Sequence, residues 1–372
     1  MRPGQPPFAV KRSISVSPPA PRSAALAPRR LRFAHATDEA PPLVGVVAEI
    51  GVNHDGDVRR AVELVDAAAQ CGADAVKLQL FDPDHLLSEQ SMLAAYQAKS
   101  EDDVFAMLRR LQLGLDDMQI VRAAAARVGV GFVVTPFSVE EVEVLSPLDI
   151  DAVKIASPDA VNRPLLDAAV QLDRPLIVST GTATLDELGY AADQLRGHES
   201  GGCFLQCVSS YPAATEDCGL GGMVAMGKRF RLPVGYSDHT NEMMSGAVAV
   251  AAGACVIEKH LTYDRQAVGP DHSASFEPAE FGEYVRRIRQ ASKMLGPIAK
   301  TVGDAELEVR DLCRQSVCLR TDMPAGHVLR RADLTVKRPG TGVPAACFDQ
   351  VVGRKLSRGV RGNRILVEQD LL

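Results

Sequence analysis

From Leu43 onward, short apolar runs alternate with windows of helical spacing, and each apolar run ends in residues able to do chemistry. VGVVAEI carries Glu49, AVKLQL carries Lys77 and Gln79, and GFVVT ends at Thr135. DAVKIAS carries Lys154 and Ser157, PLIVST ends at Ser179 and Thr180, and CFLQCVSS carries Gln206 and Ser209. LPVGYSDH ends at Ser237 and His239, and CVIEKH at Glu258 and His260. Between them, helical periodicity appears in VRRAVELVDAAAQ, DDMQIVRAAAARV, VNRPLLDAAVQL and TLDELGYAADQL. Strands bounded by Gly or Pro and separated by helices imply a parallel sheet. Repetition of this unit without a nucleotide-type glycine fingerprint predicts an α/β fold, a closed (β/α)8 TIM barrel. An open doubly wound sheet is the alternative. Polar groups at the carboxyl ends of successive strands are how such a barrel builds its active site.

PAEFGEYVRRIRQASKML reads as the last barrel helix and DAELEVRDLCRQ as a charged connector helix. From Ser316 the pattern changes to short β-like runs broken by Gly and Pro: SVCLRT, HVLRRADLTVKRPG, VVGRKLSRGV and NRILVEQDLL. The expected plan is a disordered extension over residues 1–42, a barrel over 43–297, a linker over 298–315 and a small, mainly β domain over 316–372.

Composition changes this picture at one place. Residues 1–42 are rich in Pro, Ala, Ser and Arg and carry no acidic residue before Asp38. A transit-type leader is Arg- and Ser-rich and acid-poor, but its amphipathic helix would be broken by these prolines. A disordered tail or an early start codon is the preferred reading. Elsewhere the chain is ordinary. Of its 372 residues, Lys and Arg are dispersed after residue 40 and the formal net charge is -6, which argues against a nucleic-acid partner. No run approaches the roughly 20 apolar residues that span a bilayer. The eight cysteines are scattered, several inside apolar strands, without zinc-site spacing. This pattern implies a reducing, cytoplasmic compartment.

His239 and His260 end neighbouring strands, which brings two imidazoles within reach of one divalent ion, with Glu49 closing the circle on the first strand. Two nitrogen ligands plus water suit Mn, Co or Fe, and Mg less well. Lys77 and Lys154 sit in otherwise apolar strands, where a buried ammonium needs an anion. One candidate is an internal carboxylate, Glu49 or Glu258. The other is a phosphate ringed by the hydroxyls of Thr135, Ser157, Ser209 and Ser237. With no P-loop present, a phosphate beside a metal fits a small phosphorylated carbon acid condensing with a metal-polarised carbonyl.

With AEIGVNHDG, KLQ, TPFS, KIAS, STG, SSYP, GYSDHT, EKHLT and GPDHSASFEP in this order, the chain resembles the sialic acid synthases, including the legionaminic and pseudaminic acid synthases. VKRPGTG and GRKLSRGVRGNRIL resemble that family's small antifreeze-like (SAF) domain. The resemblance implies condensation of phosphoenolpyruvate with an N-acetylmannosamine-type aldose, releasing phosphate and a nonulosonic acid. It implies a divalent metal, commonly Mn2+ with Co2+ or Mg2+ as alternatives, on His239 and His260. It also implies phosphate contacts from Lys77, Thr135, Lys154, Ser157, Ser209 and Ser237, and a polar contact from Gln79. Tyr211, Asp159 and Asp271 match sugar-side positions. Asp159 stands where relatives usually carry glutamate, and Ser209 where they often carry asparagine. Glu49 is expected to orient or deprotonate the water that adds in the reaction. The family further implies a domain-swapped homodimer in which Arg338 contacts the sugar bound by the partner chain; from the residues alone it reads as a solvated loop cation. The competing enzymatic reading is a Schiff-base aldolase using Lys154, and the non-enzymatic one is a degenerate sugar-binding module. GPDHSASFEP favours the neuraminate and legionaminate branches over the pseudaminate branch.

Overall fold

A computed structural model describes residues 44–93, 97 and 103–372; the expected extension over residues 1–42 lies outside the described residues. Eight parallel strands close a barrel in sequential order. They are β1 (Gly45–Gly51), β2 (Ala75–Leu80), β3 (Gly131–Pro136), β4 (Ala152–Ile155), β5 (Leu176–Ser179), β6 (Gly202–Cys207), β7 (Val234–Asp238) and β8 (Val256–His260). This is the (β/α)8 architecture expected from the pattern.

Strand alternation sorts the side chains into layers. Val47, Ala75, Val133, Ala152, Ile177, Cys203, Leu205, Cys255 and Val256 plug the barrel interior. Two residues further along their strands, Glu49, Lys77, Thr135, Lys154, Ser179, Cys207 and Glu258 form the next inward layer and line a cavity. The intervening residues, such as Val46, Val76, Phe132, Val153 and Ile257, face outward and pack under the helices. Register adds the lateral order. Glu49 is paired with Lys77 on one side and His260 on the other, because β1 is hydrogen-bonded to both β2 and β8.

The helix Val58–Gln70 begins where the Asp57 carboxylate accepts a hydrogen bond from Arg59 N at 2.9 Å. Its buried Ala61, Leu64, Val65 and Ala68 recur on one face. The helix Arg163–Val170 falls within its predicted window, and Leu115–Val128 begins one residue before its own. The window TLDELGYAADQL begins too early: the helix is Gly189–Gly197. Glu187 Oε2 accepts from Thr184 N at 2.8 Å and Thr184 Oγ1 at 2.7 Å, which holds the preceding residues in a turn. Two predicted strand windows overrun as well. Ser157 opens a 3-10 turn, Ser157–Val161, after β4, and Ser209 lies in the loop after β6. The helix Val104–Leu111, in the connection between β2 and β3, was not foreseen.

The chain forms two compact units that divide between Ile298 and Ala299. The helix Asp304–Cys313, foreseen as a connector, belongs to the second unit. There β9 (Ser316–Leu319) and β10 (Leu334–Lys337) pair antiparallel, with isolated bridges such as Cys318 to Ile365 adding further β contacts. Val317, Leu319, Leu329, Leu334, Leu356 and Leu366 are among the residues of its own small core. Among the described residues, no helix is long and apolar enough to cross a membrane.

Candidate active site

A cavity of about 520 Å3 opens at the carboxyl ends of the barrel strands. All the site residues expected within the barrel line it. Strands β1 to β4 and their exits bring Glu49, Lys77, Gln79, Thr135, Lys154, Ser157 and Asp159; β6 to β8 and their exits bring Ser209, Tyr211, Ser237, His239, His260 and Asp271. Arg338 is exposed and belongs to the second unit.

At the cavity floor the two lysines meet carboxylates. Lys77 Nζ lies 2.5 Å from Glu49 Oε2 and donates to Thr135 Oγ1 at 2.9 Å. Lys154 Nζ lies 3.8 Å from Glu258 Oε1 and donates to the Ile155 carbonyl at 3.0 Å. All four charged groups are buried. Burial pushes the Glu49 carboxyl up to about 7, against the pull of Lys77. Burial works against the Lys77 ammonium, but Glu49 and Glu258 outweigh it and raise its pKa. Burial lowers Lys154, which Glu258 only partly offsets. Glu258 stays below the usual carboxylate range because Lys154, Lys77 and Ser237 outweigh its burial. The internal carboxylate partners weighed from the sequence are therefore present in the ligand-free protein.

Serine hydroxyls face the same floor. Ser237 Oγ donates to Glu258 Oε1 at 3.0 Å. Ser157 Oγ accepts from Gly181 N at 3.1 Å. A Cβ at Gly181 would sit 2.4 Å from Ser209 Oγ and 2.9 Å from Ser157 Oγ, so the close approach of these serines depends on glycine. Ser179 Oγ, to which the sequence reading gave no role, lines the cavity buried and without a hydrogen-bond partner. Glu258 Oε2 and His260 Nδ1 are in the same condition. Buried polar atoms are ordinarily satisfied, so four such atoms around one cavity, Glu49 Oε2 among them with only its ion pair to Lys77, mark a place made for a polar ligand.

The two imidazoles stand 5.4 Å apart between ring centroids. His239 Nδ1 is 2.8 Å from the Val208 carbonyl, which can only accept, so Nδ1 carries a proton. Burial and the neighbouring His239 hold His260 well below the usual histidine range, and therefore neutral. Tyr211 stacks on His239 at 4.1 Å and meets His260 edge-on at 5.8 Å. Burial works against a charged His239, but Cys207 and the Val208 carbonyl outweigh it and raise its pKa. A divalent ion bound between the rings would therefore take the place of a proton on His239, with the unpartnered buried nitrogen of His260 beside it. Glu49, foreseen as closing that circle, is turned to Lys77, with Gln79 Nε2 3.4 Å from its Oε1. Among the described residues no group of three or more His, Cys, Asp or Glu converges on one point, so an ion held here would complete its shell with water and substrate oxygens. Asp271 Oδ2 lies 3.8 Å from His260 Nδ1, and burial raises the Asp271 carboxyl. Asp159 accepts from Asn162 Nδ2 at 3.0 Å, and burial raises its carboxyl too.

The outer wall is apolar. Val52, Phe81, Val104, Met107 and Leu111 form a cluster of their own, with Leu86, Leu87, Leu108 and Phe137 packed against it, and all of these line the cavity. Sequence spacing gave no sign of this wall, because Val104–Leu111 is a short helix in a long connection.

Comparison with known proteins accords with this geometry. The model of the NeuB family matches residues 64–300, and that of the SAF domain matches residues 314–372. The chain is 38% identical over 334 residues to the N,N'-diacetyllegionaminic acid synthase of Legionella pneumophila, covering 88% of this chain and 94% of that one. It is 34% identical to the enzyme of the same name from Campylobacter jejuni, covering 87% and 98%. Among solved structures, the N-acetylneuraminic acid synthetase of Leptospira borgpetersenii superimposes with a TM-score of 0.66 at 30% identity, covering 72% of this chain and 90% of that one.

Proposed function

The chain belongs to the NeuB family, and we propose from that premise that it condenses phosphoenolpyruvate with an N-acylated amino-aldose, releasing phosphate and forming a nonulosonic acid. One observation carries the reading: Lys77 and Lys154 share a cavity floor with Thr135, Ser157, Ser209 and Ser237, beside the imidazoles of His239 and His260. Two ammonium groups and four hydroxyls suit a phosphate and a carboxylate on one small molecule.

In this reading, phosphoenolpyruvate takes over the ammonium groups that Glu49 and Glu258 hold in the free enzyme. Ser237 turns from Glu258 to the entering phosphate. A divalent ion on His239 and His260, Mn2+ with Co2+ or Mg2+ as alternatives, would supply Lewis-acid polarisation of the aldose carbonyl. Tyr211, Asp159 and Asp271 orient the aldose so that C3 of phosphoenolpyruvate reaches its C1. Positive charge then develops at C2. Glu49, with a pKa near neutrality, takes the proton of the water that adds there. Lys77 and Lys154 stabilise the phosphate as the C–O bond breaks.

The apolar outer wall favours an acceptor with methyl-bearing substituents, a 2,4-diacetamido-dideoxy hexose of the legionaminic type. Besides Lys77 and Lys154, no lysine or arginine is among the described residues lining the cavity, which supports an unphosphorylated acceptor. N-acetylmannosamine is the second reading, since the Leptospira protein is an N-acetylneuraminic acid synthetase. Mass spectrometry of products from phosphoenolpyruvate and a panel of both hexoses and N-acetylmannosamine 6-phosphate tests the choice. A di-N-acetylated nine-carbon 2-keto acid as the main product supports the first reading; preference for the 6-phosphate contradicts it.

We place this reaction in a reducing, cytoplasmic compartment, in keeping with eight free cysteines. The working assembly in this reading is a domain-swapped homodimer in which Arg338 reaches the sugar of the partner chain. Restoration of activity on mixing Arg338→Ala with Glu49→Gln subunits tests that assembly.

A further inference from the structure

The residues immediately before the two cavity imidazoles face the opposite way. Asp238 and Lys259 are register partners on β7 and β8. Alternation turns them to the outer side of the barrel, where Tyr236 and Ile257 on the same strands belong to the apolar core. Both are fully buried, and Lys259 Nζ lies 3.5 Å from Asp238 Oδ2.

A saturated network surrounds the pair. Asp238 Oδ1 accepts from Thr240 N at 2.9 Å and Thr240 Oγ1 at 2.8 Å. Asp238 Oδ2 accepts from Ser245 Oγ at 2.5 Å and Tyr284 OH at 2.6 Å. Ser245 begins the helix Ser245–Ala251, and Tyr284 lies within the helix Pro278–Leu295. A Cβ at Gly246 would sit 2.5 Å from Tyr284 OH, so glycine lets that hydroxyl reach Asp238. Lys259 Nζ donates to the Thr240 carbonyl and lies 4.2 Å from the centre of the Phe276 ring. Phe276 N in turn donates to the His260 carbonyl at 3.0 Å.

Stability does not explain this arrangement. Desolvating two charges offsets most of their attraction, and apolar replacements of a buried pair are often neutral or stabilising. What the network does supply is direction. It ties the ends of β7 and β8 to each other and to two helices, at the residues whose successors carry the imidazoles. Changes to groups that orient ligating histidines from outside the site typically cost about ten- to hundred-fold in metal affinity. We infer that Asp238 and Lys259 are positioning residues that set the separation and orientation of His239 and His260. This inference rests on the proposed reading of those imidazoles as an ion-holding pair.

The test is the charge-neutral double variant Asp238→Asn/Lys259→Met, which keeps the volume of both side chains. Three properties are compared with the wild-type full chain: thermal unfolding by circular dichroism, Mn2+ binding by electron paramagnetic resonance without substrate, and steady-state phosphate release. The expected result is a folded protein with Mn2+ affinity and kcat reduced about ten- to hundred-fold and an unchanged KM for phosphoenolpyruvate. A folded double variant with Mn2+ affinity and kcat within about two-fold of wild type overturns the inference. If the double variant does not fold, Tyr284→Phe decides: it removes one hydrogen bond to Asp238 and little volume. Several-fold weaker Mn2+ binding at an unchanged melting temperature supports positioning, and wild-type binding refutes it. A wild type that binds no Mn2+ removes the ion-pair reading and this inference together, whereas failure of the variants alone to differ leaves the reading standing.

Discussion

Lys77 Nζ and Glu49 Oε2 are 2.5 Å apart at the floor of the cavity, both side chains buried, on strands that are register partners. A substrate anion that takes the ammonium leaves the carboxylate facing the reacting atoms. Glu49→Gln is therefore expected to lower kcat by about 10²- to 10⁴-fold, the usual worth of a general base. Calorimetric affinity for phosphoenolpyruvate should stay within a few-fold. Near-normal turnover in this variant removes Glu49 from the mechanism.

The same carboxyl sets a pH dependence. Its pKa is raised to about 7, mainly by burial. A base works ionised, so kcat/KM for the free enzyme should rise as pH increases through about 7. A flat profile from pH 5.5 to 8 would contradict this assignment.

Lys154 separates two chemistries. Burial lowers its pKa, which a Schiff-base nucleophile also requires, but Glu258 lies 3.8 Å away and keeps it suited to holding an anion. Lys154→Gln should raise the KM for phosphoenolpyruvate about ten- to hundred-fold, the worth of a hydrogen bond to a charged group. Borohydride with pyruvate should leave the wild-type mass unchanged. A covalent adduct on Lys154 would reverse the choice in favour of an aldolase.

Asp159 follows the KIAS strand end on the short 3-10 turn Ser157–Val161. It lines the cavity half-buried and accepts from Asn162. Asp159→Ala should raise the acceptor KM about ten-fold and leave the KM for phosphoenolpyruvate within about two-fold. Equal effects on both constants would show that Asp159 supports the whole floor.

His54 gives a stability prediction independent of the chemistry. Its ring is buried, and its Nδ1 accepts from Gly56 N at 3.0 Å, which requires an unprotonated nitrogen. Burial lowers its pKa from 6.5 to about 4. Between those values the unfolded chain binds more protons than the native one. Its stabilising contribution is full above pH 6.5 and is lost as pH falls to about 4, roughly 3 kcal/mol in total. Denaturant unfolding at pH 7.5 and 4.5 should show a smaller pH difference for His54→Asn than for wild type. An identical difference in the two proteins would assign the acid sensitivity elsewhere.

Much of the site could be read from the chain because strand alternation and strand ends are both sequence properties. The two-residue offset from Val47 to Glu49, Ala75 to Lys77 and Ala152 to Lys154 fixes one inward polar layer above an apolar plug. Lysine in an apolar strand demands an anion, and both candidate carboxylates were visible. Other features depend on which elements pack together, which spacing does not encode. Asp238 and Lys259 look like ordinary polar positions until Tyr284 and Ser245 arrive from distant helices. The apolar wall comes from a short helix between β2 and β3. Ser179 differs from Thr180 only by facing inward: Thr180 Oγ1 donates to the Leu205 carbonyl, while Ser179 Oγ is left for a ligand. Arg338 is an exposed residue of the second unit, and no residue type in its loop points to a partner on its own.

The most direct measurement is phosphate release from phosphoenolpyruvate in H2(18)O, with each candidate aldose in turn and with or without chelator. The synthase reading predicts release only with an aldose, loss with chelator, recovery with Mn2+, and no (18)O in the phosphate, since the C–O bond breaks. Aldose-independent release, or (18)O-labelled phosphate, would contradict it.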